Sequence, residues 1–541
     1  MRYGFFTKMP PLMRTFWILF GVASLVVLWT NSAEHLITGA QASTNSSPHG
    51  SPALSLERDY VSSASSTFTV TSTGDGSDNN HGDGICDDGS GACTLRAAIE
   101  EANALTGRDL IAFNIPVGDP GFVASTTSFT IRPATALPSV VEPVVIDGYT
   151  QSGSRPNSLP VGAGLNPVLK VELDGGDIGD PLIYGIDVIG GNTTVRGLAV
   201  NGFSSSAFRF VVVGGNVIEG NVIGTDVTQT QDKGNGGDGV SISISTLVDS
   251  NVIRFSGVEG LRLSGGSNTV TNNVITDNVS DGIETNGGTN TIGISGSGNI
   301  ISGNQAGIND AGGTNSMYGN VITENYLGIR LQEGMNIVGG VAPGQGNLIN
   351  NNTGYGIQIG GLVSANDIKA NVVSNNGYVG ISISAVDSDN TIGGSSIGEG
   401  NTITFNGSHG ISIDDDSAVG DAILGNSIHS NVGLGIDLSS DGVTQNDVGD
   451  ADTGSNNLQN FPVLTAAAFG LSTHVEGSLN SGLSATFTIE FFANSACDVS
   501  GYGEGERFLG SSVVMTDGSG NAGFSVQLSG SSSAVSSSQP R

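Results

Sequence analysis

Two short phrases alternate along the central half of the chain, between Val195 and Leu438. The first phrase is an Asn followed by a strand-like pair, usually of two aliphatic residues, and its Asn stands at nine positions: Asn221, Asn251, Asn273, Asn299, Asn320, Asn347, Asn371, Asn401 and Asn426. The second phrase is a Gly followed by alternating aliphatic residues, at Gly239, Gly260, Gly282, Gly307, Gly328, Gly356, Gly380, Gly410 and Gly435. Both phrases return every 21 to 30 residues, so the chain must fold as a repeat.

This period predicts an all-β chain built on a right-handed parallel β-helix solenoid, in which each repeat forms one coil of three short strands. Equivalent Val and Ile side chains of coils stacked about 4.8 Å apart would fill a narrow core. We expect the recurrent Gly at turns with a positive φ angle. We expect the recurrent Asn at bends, where it tolerates the left-handed region and its amide stacks from coil to coil. A β-propeller needs blades of about 40 residues, and a β-sandwich lacks this repeat, so both are excluded.

The composition agrees with many short strands and excludes several classes of protein. The chain of 541 residues contains 84 Gly but has no three-residue period, which excludes collagen. The formal net charge is −32, from 50 acidic and 18 basic residues. Phosphate backbones and anionic lipid surfaces repel such a charge, so nucleic acid is excluded as a partner.

The N-terminus has the pattern of an export signal. Three basic residues precede an apolar run over 16–29, and a small-residue cleavage motif follows at Ala40 to Ala42. We predict a signal peptide over 1–42 and a disordered linker over 43–66, and therefore a secreted, extracellular or cell-surface protein. The apolar run is shorter than the roughly 20 residues that cross a bilayer, so no membrane span is expected in the mature chain.

The segment 67–115 combines a strand, an acidic loop and a helix. The helix is predicted over Thr94 to Asn103, in the stretch CTLRAAIEEANA. This segment resembles the CSLREA-type N-terminal domain of bacterial surface proteins with a pectate-lyase-like β-helix, although Thr94 and Ala97 depart from the motif. The resemblance implies a small helix-containing cap on the β-helix.

Two further features of this segment concern its loop. Cys86 and Cys93 enclose six residues in an exported chain, which predicts a local disulfide. The loop also carries clustered acidic residues, which leave open either a calcium site or a solvated loop: Asp75, Asp78, Asp83, Asp87 and Asp88.

Beyond the cap, we assign 116–457 to the β-helix, 458–530 to an immunoglobulin-like β-sandwich and 531–541 to a Ser-rich tail. The stretch LQNFPVLTAA, with TIEFFANSACDVSGYGEGERFLG, resembles the module that follows such β-helices in bacterial surface proteins. Between rod and sandwich, Asp447, Asp450 and Asp452 form either a calcium-binding turn or a simple Asp/Gly turn. An EF-hand is excluded because its bidentate Glu is missing.

Catalytic chemistry has few candidates in the sequence. Asp414, Asp415 and Asp416 follow a predicted strand and lie near His409, so they are either a hydrolytic carboxylate cluster or a solvated turn. A lyase-like site needs a basic residue beside calcium, but the basic candidates are scattered singly along the repeats: Arg254, Arg262, Arg330 and Lys369. An acidic groove would also repel polyuronates unless a metal bridged the charge.

Two functions remain open. The first is a structural, adhesive or glycan-binding surface protein, with calcium as a stiffener and an extracellular polysaccharide or surface partner as ligand. The second is a polysaccharide lyase, glycoside hydrolase or epimerase. Three or more carboxylates converging in a groove with an Arg or Lys would exclude a role without chemistry.

Overall fold

The computed structural model describes residues 65–160, 162–361, 365–385, 389–469, 472–496, 501–502 and 504–528. The predicted signal peptide (1–42), nearly all of the predicted linker (43–66) and the predicted tail (531–541) lie outside these residues. Within the described ranges, no helix has both the length and the apolar character needed to cross a bilayer.

Three long sheets run along the molecule, and the predicted right-handed parallel β-helix is confirmed. Within the described residues, sheet I has 13 strands: Thr67–Val70, Asp109–Phe113, Val144–Asp147, Thr194–Arg196, Asn216–Glu219, Thr246–Asp249, Ser267–Thr271, Thr289–Ile292, Thr314–Met317, Ile337–Val338, Asp367–Ile368, Thr391–Gly393 and Ala422–Leu424. Sheet II has 13 strands in the same ranges: Phe122–Val123, Ser128–Ile131, Val171–Asp174, Leu198–Asn201, Val222–Ile223, Val252–Arg254, Val274–Thr276, Ile300–Ser302, Val321–Thr323, Leu348–Asn350, Val372–Ser374, Thr402–Thr404 and Ser427–His429. Sheet III has 11 described strands: Ile186–Val188, Phe208–Phe210, Val240–Ile242, Leu261–Leu263, Ile283–Thr285, Ala306–Asp310, Leu327–Leu331, Ile357–Ile359, Ile381–Ile383, Ile411–Ile413 and Ile436–Leu438.

The core is one continuous apolar column enclosed by the three sheets. Parallel pairing places equivalent aliphatic residues of successive coils in register, as for Ile253 with Ile275 and Ile275 with Ile301. These side chains are fully buried. Removal of stacked aliphatic side chains from water is the main stabilising term of such a rod, at roughly 25 cal/mol per Å² of apolar area.

The predicted helix is present at the N-terminal end, over Leu95–Ala104. Thr94 caps it by accepting the Ala97 N–H at 3.0 Å. The apolar face of the helix joins the core of the rod, so the helix covers the first coil. Two short 3₁₀ turns lie elsewhere, at Gly148–Thr150 and Ser455–Leu458.

Asn side chains form hydrogen-bonded ladders along the axis of the rod, as expected. In the ladder of the repeated Asn, the backbone N–H and the side-chain Nδ2 of Asn273 both donate to Oδ1 of Asn299, at 3.0 and 2.9 Å. Two further ladders run parallel to it, through Asn268, Asn290, Asn315, Asn336, Asn366 and Asn390 and through Asn278, Asn304, Asn325, Asn352, Asn376, Asn406 and Asn431. The ladders satisfy polar groups at buried bends, where an unpaired group would cost about 1–3 kcal/mol.

Two expectations about conformation are corrected. The left-handed residue is not the ladder Asn but the residue just before it, as at Ser250 (φ 59°) and Phe405 (φ 57°). This follows from the ladder itself: the Asn side chain must point into the rod, so the preceding residue makes the bend. The repeated Gly does not have a positive φ either. A Cβ on Gly260 would lie 2.7 Å from the Gly282 carbonyl oxygen of the next coil, so this Gly is required by space.

The C-terminal segment forms two small antiparallel sheets that share a core, which matches the predicted sandwich. One sheet contains Val463–Phe469, Thr473–Asn480 and Asn521–Leu528, and the other contains Thr486–Ala493 and Arg507–Met515. Phe487, Phe491 and Phe524 lie in the shared core.

The C-terminal segment also covers the last coil of the rod with carboxylates. Glu504 accepts the Asn431 N–H at 3.1 Å, and Glu490 accepts the Gly425 N–H at 2.9 Å. Carboxylates suit this place because they accept hydrogen bonds from N–H groups that no further coil can satisfy.

Candidate functional site

The outer face of sheet III carries a continuous row of polar side chains, which we call the polar row. Parallel register aligns one outward residue per strand: Arg209, Ser241, Arg262, Glu284, Asn309, Arg330, Gln358, Ser382, Ser412 and Asp437. On strands such as Leu261–Leu263 and Ile357–Ile359 the flanking aliphatic residues point into the core, which forces the middle residue outward. Successive members therefore stand about 4.8 Å apart along the rod.

Arg262 lies at the centre of a carboxylate cluster on this face. Its guanidinium contacts Asp238 at 3.2 Å and Glu284 at 2.5 Å, and it also pairs with Glu259. Carboxylate oxygens of Glu259, Asp281 and Glu284 lie within 4.8 Å of one another. We call Arg262 together with Asp238, Glu259, Asp281 and Glu284 the Arg262 cluster. At least three carboxylates therefore converge with an arginine, which is one part of the condition set for an enzyme, and Glu259 and Asp281 among them are buried.

Burial perturbs the acids of the Arg262 cluster. Burial raises the pKa of Glu259 to about 7, and a hydrogen bond in which the protonated Glu259 carboxyl donates to the Asp238 carboxylate adds to the rise, although Arg262 opposes it. Burial also raises the pKa of Asp281, against hydrogen bonds from Asn309 and the Ala306 N–H. A carboxyl group that is partly protonated near neutral pH, beside ionised carboxylates, has the property of a general acid.

The sequence contained a signal for this cluster that was missed. Asp238, Glu259 and Asp281 each stand immediately before a repeated Gly, on three consecutive coils. Alignment of the repeats on that Gly would have placed the three acids in one column. Arg262, one of the basic residues scattered along the repeats, is ion-paired at the centre of the cluster.

Three tyrosines lie further along the same side of the rod, and we call them the tyrosine cluster. Tyr326, Tyr355 and Tyr378 precede consecutive strands of sheet III. The rings of Tyr355 and Tyr378 meet edge to face, with centroids 4.9 Å apart. Tyr326 is 60% exposed and Tyr378 is 49% exposed, so this patch faces solvent. Burial raises the pKa of Tyr355, with contributions from Tyr378, Asp414 and Tyr326, which shows that these groups share one neighbourhood.

The predicted catalytic triplet does not converge. Asp414 accepts hydrogen bonds from the hydroxyls of Ser382 at 2.8 Å and Ser412 at 3.2 Å, beside the tyrosine cluster. Asp415 is exposed and accepts the Ser417 N–H at 2.8 Å within its own turn, and the Ser417 hydroxyl lowers its pKa. Asp416 instead accepts from the Ser439 hydroxyl at 3.3 Å.

His409 has both ring nitrogens engaged. Its Nδ1 accepts the Leu434 N–H at 3.0 Å, and its Nε2 lies 3.3 Å from the Asp437 carboxylate. This arrangement holds the ring between two coils, so neither nitrogen is available to activate a water beside the Asp414–Asp416 triplet.

The predicted calcium ligands do come together. Oxygens of Asp447, Asp450 and Asp452 lie within 4.8 Å of one another. Asp447 accepts the Ala451 N–H at 3.0 Å, and Asp450 accepts the Asn460 N–H at 2.7 Å. Asp452 Oδ1 has no hydrogen-bond partner, and burial and the charge of Asp447 raise the pKa of Asp452. Three oxygen ligands of this kind suit a calcium ion.

The N-terminal acidic loop uses its carboxylates differently. Asp78 accepts the Asn80 and Asp87 N–H groups, and Asp87 accepts two further N–H groups of the loop. Asp75 forms an ion pair with Arg96 at 2.9 Å. Cys86 and Cys93 form a disulfide in the structure. The carboxylates thus organise the loop itself, and both alternatives for this loop, a calcium site or a solvated loop, remain open.

The remaining basic candidates separate into paired and unpaired groups. Arg254 pairs with Asp277 at 2.7 Å, and Lys369 pairs with Asp367 at 3.1 Å. Arg330 is exposed and forms no ion pair within the described residues.

Comparisons with known proteins concern the β-helical part of the chain and its fold. A family profile described as "Right handed beta helix region" matches residues 235–397. Among solved structures, the chain is similar to the A-module of the Azotobacter vinelandii mannuronan C-5 epimerase AlgE6, with 14% identity over 67% of this chain and 95% of that chain, and a TM-score of 0.38. It is also similar to the Dettilon tailspike protein gp208, with 16% identity, 74% and 75% coverage, and a TM-score of 0.35. No curated protein matches. The chain is a right-handed parallel β-helix protein, and these likenesses concern its fold alone.

Proposed function

We propose that this is a secreted or cell-surface glycan-binding protein whose ligand lies along the outer face of sheet III. The tyrosine cluster is the observation that carries this proposal. A soluble protein rarely exposes neighbouring aromatic rings without a binding role. Tyr326 and Tyr378 lie beside the polar row, so apolar ring faces and hydrogen-bonding groups stand side by side.

This combination suits the chemistry of sugars. The C–H face of a pyranose ring packs on an aromatic face, while its hydroxyls need donors and acceptors around the rim. Gln358 of the polar row, which is half-buried, supplies such a group on the strand that follows Tyr355. A linear polysaccharide can follow the rod because the polar row repeats at a regular spacing.

The location follows from the predicted signal peptide and from the Cys86–Cys93 disulfide, since disulfides persist in oxidising compartments. The resemblance of 67–115 to CSLREA-type domains supports a bacterial surface protein, and we propose calcium at Asp447, Asp450 and Asp452 as a stiffener.

Affinity electrophoresis of the full chain in gels that contain single polysaccharides tests binding. We expect retardation by at least one polymer and its loss in Tyr378→Ala. The matched control is Phe405→Ala, because Phe405 is also exposed and also meets another ring, His429, but lies next to sheet II. Equal effects of the two substitutions, or no retardation by any polymer, would refute a glycan site at the tyrosine cluster.

A second function is favoured by one arrangement, the convergence of Glu259, Asp281 and Glu284 beside Arg262, where burial raises the pKa of Glu259 to about 7. We propose Glu259 as the proton donor of a glycan-cleaving site, with Asp281 or Glu284 as the base. Its activity would fall as pH rises above about 7, because the donor loses its proton. Release of reducing ends should disappear in Glu259→Gln and persist in Glu333→Gln, an exposed acid outside the cluster. Unchanged release of reducing ends by Glu259→Gln would refute this second function.

A further inference from the structure

We infer that the glycan bound at the tyrosine cluster carries an acidic sugar in its repeat, and that Arg330 binds its carboxylate. This inference rests on the proposed glycan-binding function, and it adds the chemical class of the ligand. Three observations support it: which arginines of the polar row are already ion-paired, the position of Arg330, and the acidic residues on either side of Arg330.

The cations of the polar row differ in whether their charge is already neutralised. Arg209 forms an ion pair with Asp187 at 2.7 Å, and Arg262 pairs with three carboxylates. Arg330 is exposed and has no ion pair within the part of the chain that the structure describes. Its neighbours in register are amides, Asn309 on one side and Gln358 on the other. Its charge also acts on Asp281, whose pKa it helps to lower against burial, but no carboxylate forms an ion pair with it in the described part of the chain. Its guanidinium can therefore still bind an external anion.

The position of Arg330 ties it to the aromatic patch. It lies on the strand Leu327–Leu331, which begins directly after Tyr326, and it points outward because Ile329 and Leu331 are buried. The next strand, Ile357–Ile359, follows Tyr355 by one residue and lies about 4.8 Å away. A sugar on the tyrosine cluster thus places its own substituents, or those of its neighbour, within reach of Arg330.

The chemistry of the guanidinium selects a planar anion. Arginine binds carboxylates through two parallel N–H···O bonds, which gives both energy and orientation. Asn309 and Gln358 add amide groups that can bond to sugar hydroxyls. Asn309 already donates to Asp281 and accepts from Gln332, so it is held in place.

The surrounding acids limit how much negative charge the ligand can carry. Glu284 lies two strands before Arg330, and Asp414 lies beyond Gln358 on the other side. The whole chain has a net charge of −32. A polymer charged at every sugar would meet these carboxylates, whereas one acidic sugar among neutral ones meets Arg330 alone.

The test compares the same polymers with and without their charge. The probes are gellan, xanthan and hyaluronan, each with one acidic sugar per repeat, their carboxyl-reduced forms, and polygalacturonate, which is acidic at every sugar. Affinity electrophoresis of the full chain measures Kd. We expect at least one native polymer to bind about tenfold more tightly than its reduced form, and polygalacturonate to bind more weakly than that polymer. We also expect the tenfold preference to weaken with added salt.

Variants assign the preference to a residue. Arg330→Gln should lower the affinity for the native polymer until it equals the affinity for the carboxyl-reduced polymer. The affinity for the carboxyl-reduced polymer should not change. Arg254→Gln is the control, since this arginine lies on sheet II and is paired with Asp277. Thermal unfolding of Arg330→Gln should match that of the wild type because the residue is exposed.

The outcomes separate the two proposals. Equal binding of native and reduced polymers, or a preference that survives Arg330→Gln, overturns the role of Arg330 but leaves a Tyr378-dependent glycan site standing. If neither the native nor the reduced polymers bind the wild-type chain, both the inference and the binding function for these glycans are overturned.

Discussion

Glu504 Oε1 accepts the backbone N–H of Asn431 at 3.1 Å, at the point where a ladder of seven Asn side chains ends. In this ladder, the Oδ1 of each Asn accepts the backbone N–H of the Asn in the preceding coil, and its own N–H donates to the Asn of the following coil. Asn431 has no following coil, so the C-terminal segment supplies the acceptor. Asp421 ends another ladder in the same way, accepting from Asn390 Nδ2 at 2.8 Å.

Loss of the Glu504 carboxylate should destabilise the last coil. Glu504→Ala leaves the N–H groups of Asn431 and Ser430 without their acceptor. We expect the free energy of unfolding to fall by about 1–3 kcal/mol in urea denaturation. Glu333→Ala, at an exposed acid, should change it by less than about 0.5 kcal/mol. Equal values for both variants would show that the C-terminal segment does not close the ladder.

The repeated Gly should resist replacement for steric reasons. A Cβ on Gly307 would lie 2.4 Å from Ile322 Cγ2 and 2.7 Å from the Gly328 carbonyl oxygen. We expect Gly307→Ala to destabilise the rod by about 1–3 kcal/mol, as in other overpacked cores. Gly360→Ala is the control, because no atom lies within 4 Å of its Cβ position. A tolerated Gly307→Ala would mean that neighbouring coils separate easily.

Glu490 should make stability depend on pH. Burial raises its pKa from 4.5 to about 7, and only the hydrogen bond from the Gly425 N–H opposes the rise. The folded chain therefore keeps a proton that the unfolded chain releases, and stability falls as pH rises from about 4.5 to about 7. Glu490→Gln cannot ionise, so it should raise the melting temperature at about pH 8 and leave it nearly unchanged at about pH 4.5. Thermal unfolding across this range is the measurement, and an equal shift at both ends would contradict the assignment.

Calcium should stabilise the turn at Asp447, Asp450 and Asp452. These carboxylates repel one another without a cation, and the raised pKa of Asp452 reflects this repulsion together with its burial. We expect millimolar calcium to raise the melting temperature, EGTA to reverse the rise and Asp452→Asn to abolish it. Asp517→Asn, in an exposed hairpin turn, should respond to calcium like the wild type. A melting temperature insensitive to calcium would leave a simple Asp/Gly turn.

The rod was predictable because its cause is repeated in the sequence. One coil needs aliphatic residues at a few positions, and nine copies of the Asn and Gly phrases make those positions visible. The roles of Asn and Gly were harder to predict. The left-handed residue lies before many of the ladder Asn residues, as at Phe405, and the Gly is required by the coil that packs on it, as Gly282 packs on Gly260. Both facts concern contacts between coils.

The candidate sites also differ in how far the sequence alone could predict them. Asp447, Asp450 and Asp452 are close in sequence, so their proximity could be predicted. Asp414 to Asp416 are also adjacent, but hydrogen bonds to different serines turn them apart.

By itself, the sequence determined the coil, its apolar core and its Asn ladders, because these depend on patterns within one repeat. Only the tertiary structure decided which outward side chains meet. Residues such as Glu259 and Glu284 lie a full coil apart along the chain, and loops of varying length separate the strands. Hydrogen-bonded register between coils, set by stacking of the aliphatic core, brings them to one arginine and leaves Arg330 without an ion pair among the described residues.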